Sequence, residues 1–132
     1  MSKIQGGFAG KILRVDLTEG KIRSEPVTEE MILGFISGRG FNAKFLFDEV
    51  PAHIDPLSQE NRLIWGVGAL TCTPTPGASR WSLTTKSALT HIFGDASGGG
   101  WWGAELKFAG YDEPFKFGSQ GNDVDIGSRQ AL

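Results

Sequence analysis

Cysteine is nearly absent: Cys72 is the only one in 132 residues. That excludes an intramolecular disulfide framework. It also excludes a four-cysteine metal or iron–sulfur site built by one chain alone. Long apolar runs are missing too. No stretch approaches the roughly 18 apolar residues of a membrane-spanning helix, and Met-Ser-Lys-Ile-Gln lacks the apolar core of a secretory signal. Nor is there an excess of positive charge. Thirteen basic against 15 acidic residues leave a net charge of −2, which gives no electrostatic footprint for nucleic acid. His53 and His91 stand apart from each other and from any other ligand type, so neither has zinc spacing. The expectation is a cytoplasmic chain with no membrane or nucleic-acid partner.

What is present suits one globular domain. The 39% hydrophobic and 21% charged fractions are ordinary, and 132 residues can bury a modest core. Residues 8–17 alternate Ile12, Arg14 and Asp16 against Leu13, Val15 and Leu17, which predicts a half-buried strand. Thr18-Glu-Gly20 reads as a tight turn into a second strand near 21–27. Thr28, Glu29 and Glu30 have the composition of a helix start, followed by an apolar stripe at Met31, Ile32, Phe35 and Ile36. Gly38-Arg-Gly40 ends that helix, and a second follows from Phe41 to Val50, with Phe41, Phe45 and the Leu46/Phe47 pair facing the core. Pro51 and Pro56 bracket a loop, Leu63–Val67 reads as a short strand, and residues 71–79 form another loop. Strand character returns from Arg80 to Thr85, and Trp102 to Ala109 reads as a short helix. The predicted fold is therefore α+β: mainly antiparallel sheet with two or three short helices, near 29–36, 40–49 and 102–109. Residues 113–132 are polar and glycine-rich, and are expected to form a divergent, loose tail after a domain spanning 7–112.

The chemistry concentrates in Asp95-Ala-Ser-Gly-Gly-Gly-Trp-Trp-Gly-Ala-Glu-Leu-Lys-Phe-Ala-Gly-Tyr-Asp112. Consecutive glycines let backbone N–H groups approach a ligand and form an anion-binding nest, while tryptophans supply flat walls. Together they suit a flat, phosphate-bearing cofactor. A glycine turn packed under two core tryptophans accounts for the same residues equally well. Arg80, upstream, carries a permanently charged fork suited to phosphate or a ligand carbonyl; its ordinary alternative is a surface ion pair. Gly38-Arg39-Gly40 has the residues for anion binding before a helix, although a glycine helix stop is the commoner use. Cys72, in a Thr/Pro loop without a paired base, reads as an inert thiol.

Several ordered blocks carry a resemblance. Gly98-Gly-Gly followed by Glu105-Leu-Lys-Phe-Ala-Gly-Tyr-Asp112 is similar to a signature of the aldehyde:ferredoxin oxidoreductase family, tungsten- or molybdenum-pterin enzymes. Gly10–Thr18 resembles that family's opening strand, Gly38–Lys44 its first glycine turn and helix, and Asp55–Ile64 the lead into its next strand. Gly68–Thr71 resembles the following loop and Arg80–Thr90 the strand before the cofactor loop. The match runs from about Gly7 to Asp112.

The resemblance implies a fold, a cofactor and a site. The fold would be the first part of the family's N-terminal pterin-binding domain. The cofactor would be a tungsten or molybdenum bis-pterin with magnesium, oxidising an aldehyde to a carboxylic acid. Electrons would leave through a [4Fe–4S] cluster to a ferredoxin-type acceptor. Relatives acting on aromatic acyl-CoA thioesters belong to the same family. The resemblance assigns cofactor contacts to Arg80, Ser97, Gly98, Gly99 and Gly100. Ser97 stands where the family has an asparagine whose backbone carbonyl helps hold magnesium, and a carbonyl survives the exchange. Cluster cysteines, proton-transfer groups and the second pterin half-site lie beyond the matched segment, so no catalytic residue is expected here. The isolated chain is expected to be inactive and to need a C-terminal portion or self-association. The divergence at Glu113 and the end at Leu132 keep a second expectation open: a stand-alone binding or scaffold protein, or a truncated gene product, without redox chemistry.

Overall fold

In the computed structural model, which describes residues 6–112, the early alternation becomes a hairpin. Strand β1 (Lys11–Asp16) pairs antiparallel with β2 (Lys21–Pro26), Arg14 opposite Arg23 and Asp16 opposite Lys21. The Asp16 carboxylate accepts from the N–H groups of Thr18 at 2.9 Å and Glu19 at 3.1 Å, and Gly20 takes φ +64° to close the turn. Arg14 is tied to Glu25 at 2.6 Å and Glu49 at 2.7 Å. Burial alone would lower its pKa, but hydrogen bonds and charge from the two carboxylates outweigh that and hold the guanidinium above its ordinary value.

Helix α1 (Glu29–Phe35) starts as its sequence predicts: the Thr28 hydroxyl accepts the Met31 N–H at 3.2 Å, with Glu29 and Glu30 in the first turn. Its apolar stripe is only partly used. Met31 and Ile32 pack on the core, whereas Phe35 and Ile36 are 37% and 72% exposed. The helix stops after two turns, because Ile36 turns out of it at φ 65°. Helix α2 (Arg39–Glu49) buries Phe41, Phe45 and Leu46, but Phe47 is 87% exposed, which corrects its expected place in the core. Two residues beyond Phe45 is about 200° around a helix, so both cannot face the same neighbour.

Strands β3 (Ile64–Val67), β4 (Trp81–Lys86) and β5 (Phe93–Gly98) form an antiparallel sheet in the order β3-β4-β5. The α2 face of this sheet carries Ile64, Ser82 and Thr84, all buried. Asn42 of α2, fully buried, brings its Nδ2 to 3.2 Å from the Ser82 and Thr84 hydroxyl oxygens, so the helix is locked to the sheet by polar groups as well as by Phe41. The opposite face carries Trp65 and Trp81, capped by Trp102 at the start of helix α3 (Trp102–Phe108). Among the described residues, three helices with two antiparallel sheets make the α+β fold that the sequence predicts. The expected tail, 113–132, lies outside the described residues. No helix among the described residues is long and apolar enough to cross a membrane.

The Glu105–Asp112 segment closes the domain onto its own beginning. The Asp112 carboxylate, 1% exposed, accepts the Ala9 N–H at 2.8 Å and the Gly10 N–H, and pairs with Lys107 Nζ at 2.9 Å. Lys107 Nζ also donates to the Gly7 carbonyl. The Asp112 backbone donates to Lys11 O at 2.9 Å and accepts from Val67 N–H at 3.3 Å, linking β1, β3 and α3 at one residue.

Candidate functional site

Residues far apart in sequence meet at one end of the β4–β5 hairpin. Trp81 pairs with Gly98, so Arg80 before β4 and Gly99 after β5 leave the sheet at the same end. Two hydrogen bonds then pin the glycine segment to the β4 lead-in. The Trp81 indole Nε1–H donates to Gly99 O at 3.0 Å, and the Ser79 hydroxyl donates to Gly100 O at 3.1 Å. With those carbonyls engaged, the Gly99 and Gly100 N–H groups donate to no acceptor among the described residues. Gly100 adopts φ +87° with open space around its missing Cβ, the left-handed backbone that a nest of amides requires.

Gly98 serves packing. A Cβ there would lie 2.5 Å from Trp81 Cζ2, so the indole rests directly on the backbone. Gly99 has no such neighbour; its Cβ would meet only Ser79 O at 3.6 Å. Gly98 is thus packed under Trp81, whereas the backbone of Gly99 and Gly100 is open. Ser97 lies opposite Ser82 on β5, the outer strand of the sheet as described.

Arg80 is exposed, and no carboxylate among the described residues pairs with it, so the surface ion pair that accounts for most strand arginines is missing. Arg39 behaves otherwise. It pairs with Asp95 at 2.7 Å, and Asp95 also accepts from the Thr84 hydroxyl at 3.2 Å. The Gly40 N–H is taken by Ser37 O at 3.0 Å, and a Cβ at Gly40 would sit 2.0 Å from Phe35 O. Gly38-Arg39-Gly40 is therefore a tight helix junction, as the commoner use of such glycines has it.

The tryptophans divide. Trp102 stacks on Trp65 at 4.5 Å and 26°, and meets Trp81 edge-on at 6.1 Å. Trp101 is 80% exposed, beside a groove lined by Leu70, Cys72, Gly100, Ala104 and Phe108. Trp65 and Trp81 lie on strands predicted from the sequence, but their meeting with Trp102 carries no sequence signal. Cys72 is exposed at φ 65°, its Sγ 3.5 Å from Ala104 O. His53 and His91 are both exposed, and among the described residues no cluster of three His, Cys, Asp or Glu side chains is placed to hold a metal ion.

This α+β domain matches a protein family described as aldehyde ferredoxin oxidoreductase, N-terminal domain. The model of that family matches residues 12–117, and the chain belongs to it. Among individual relatives, the tungsten-containing aldehyde ferredoxin oxidoreductase of Pyrococcus abyssi (strain GE5 / Orsay) is 47% identical over 106 residues, 80% of this chain and 18% of the relative. An aliphatic sulfonate oxidoreductase, WOR-like subunit, of Pyrococcus furiosus is 34% identical over 108 residues, 80% of this chain and 17% of the relative. Among solved structures, the active-site complex of a benzoyl coenzyme A reductase with 1,5 dienoyl-CoA superposes with a TM-score of 0.86 at 36% identity, covering 92% of this chain and 18% of that one. The chain thus spans less than a fifth of the length of these relatives.

Proposed function

We propose that this chain forms one wall of a tungsten- or molybdenum-bis-pterin site, the cofactor-binding beginning of an aldehyde-oxidising enzyme. The observation that carries the proposal is the hairpin register, which brings Arg80, without a carboxylate partner among the described residues, to the same end of the sheet as the Gly99 and Gly100 amides, which donate to no acceptor among those residues. A cation and two backbone donors at one edge suit an anionic phosphate or a pterin carbonyl. In this arrangement Arg80 and the Gly98–Gly100 backbone would hold the phosphate or pterin, and the Ser97 backbone carbonyl would be a ligand for magnesium. When bound, the metal–pterin group supplies the redox chemistry, oxidation of an aldehyde to a carboxylic acid. A [4Fe–4S] cluster outside this chain would carry the electrons to a ferredoxin-type acceptor. The residues of this chain bind and orient. Its single cysteine cannot hold such a cluster, so the cluster belongs to a further portion or partner.

Exposed apolar side chains support a partner surface, either the remainder of such an enzyme or a second copy. Phe47, Leu89 and Ile92 are 87%, 89% and 67% exposed. A cytoplasmic location accords with the near absence of cysteine. The site is tested by titrating the whole chain with inorganic pyrophosphate while following backbone amide shifts. Saturable shifts confined to Gly99, Gly100 and their neighbours are expected. Shifts centred on Arg39 or on the β1–β2 hairpin would overturn the assignment.

A further inference from the structure

We infer that Lys107 and Asp112 form a positioning pair that sets the glycine segment of the site from the far end of α3. The inference rests on the site proposed above. Only Gly99, Gly100 and Trp101 separate the end of β5 from the start of α3, so the two elements fix the turn between them. The β5 side is held by the Trp81 and Ser79 hydrogen bonds. The α3 side is held at its start by the Trp102–Trp65 stack, and by Gly103, where a Cβ would lie 3.2 Å from Val67 Cγ1.

Those two contacts fix where the helix begins, and the buried Ala104 and Leu106 pack its middle. Lys107 is five residues along α3 from Trp102, about 7.5 Å at the rise of an α-helix. There its Nζ meets Gly7 O and the Asp112 carboxylate, with side chains only 7% and 1% exposed. Asp112 in turn grips the Ala9 and Gly10 amides and, through its backbone, Lys11 and Val67. The far end of a short, stiff lever is therefore bolted to β1 and β3, and its near end carries the glycine turn. A buried ion pair is a poor source of stability in itself. Its worth here is geometric, because charge-assisted bonds fix direction as well as distance.

The test uses the whole chain, with inorganic pyrophosphate as probe, at a temperature well below unfolding. The variants are Asp112→Asn and Lys107→Met. Val50→Ala serves as a control that loosens the core under α2 without touching α3. Both clamp variants should bind pyrophosphate about tenfold more weakly. They should also lower the NMR order parameters of the Gly99 and Gly100 amides and alter the near-ultraviolet dichroism of the Trp65–Trp102 stack. Val50→Ala should change none of these, even when it lowers the melting temperature as much. If Asp112→Asn does not fold, Lys107→Met alone decides. Clamp variants that bind and order the turn like the parent overturn the inference, and so does a Val50→Ala variant that weakens binding equally. A parent chain that binds no pyrophosphate sinks the site proposal instead, and the order parameters then decide the positioning role alone.

Discussion

Replacing Gly98 by alanine separates a packing glycine from a binding one. The added Cβ would lie 2.5 Å from Trp81 Cζ2, 2.8 Å from Cε2 and 3.2 Å from Cη2. Carbon atoms settle at about 3.5–4.0 Å, so the indole must retreat by roughly 1 Å. It cannot do so freely. Trp65 and Trp102 stand at 5.7 and 6.1 Å between ring centroids, and the indole Nε1–H is bonded to Gly99 O. Overpacking of this kind costs about 1–3 kcal/mol and loss of the indole hydrogen bond about 0.5–1.5, giving a total near 2–4 kcal/mol. For a domain of this size that is a fall in Tm of about 10–20 °C. The neighbouring glycines calibrate the measurement. Gly99→Ala meets only an ordinary contact at 3.6 Å and should stay within about 0.5 kcal/mol. Gly100→Ala has room but sits at φ +87°, and should lose about 1 kcal/mol to backbone strain. Urea unfolding followed by tryptophan fluorescence reads all three. A Gly98→Ala variant no less stable than Gly99→Ala would refute the packing argument.

Two further outcomes follow from exposed and strained positions. Ile36 is a β-branched residue at φ 65° with 72% of its surface exposed, so Ile36→Gly should raise stability by about 1 kcal/mol, measured by the same unfolding curves. With Phe47, Leu89, Leu33 and Trp101 all 78% exposed or more, the native chain should bind a hydrophobic dye or self-associate in sedimentation. A monomer that leaves the dye dark would count against a partner surface.

Periodicity made the elements with one apolar face legible. The Thr28 cap, and Phe41 with Phe45 in α2, stand where pattern and capping chemistry put them, whereas in β1 the buried residue is Ile12, from the set with Arg14 and Asp16, and not one of the apolar set Leu13, Val15 and Leu17. Phe47 misled because adjacency in sequence is not adjacency around a helix. Strand β5 went unread for a physical reason: Phe93-Gly-Asp-Ala-Ser-Gly98 has no buried side chain, so no alternation marks it. It is held through its backbone by β4, and that pairing is what brings Arg80 to the glycine turn. The Lys107–Asp112 pair was equally invisible as a clamp. Its partners at Gly7, Ala9 and Gly10 are about a hundred residues away and take part through backbone atoms that carry no residue signature. The resemblance marked those two residues as part of a signature, and the fold shows what they hold.

The central claim, that Arg80 and the open glycine amides form half of a pterin-phosphate site, is tested most directly by calorimetric titration of the whole chain and its Arg80→Ala variant with a pterin phosphate. The parent should bind with one-to-one stoichiometry, and Arg80→Ala should lose about 1.5–3 kcal/mol, at least tenfold in affinity, with the melting temperature unchanged. Equal affinity in parent and variant, or a parent that binds no pterin phosphate, would contradict it.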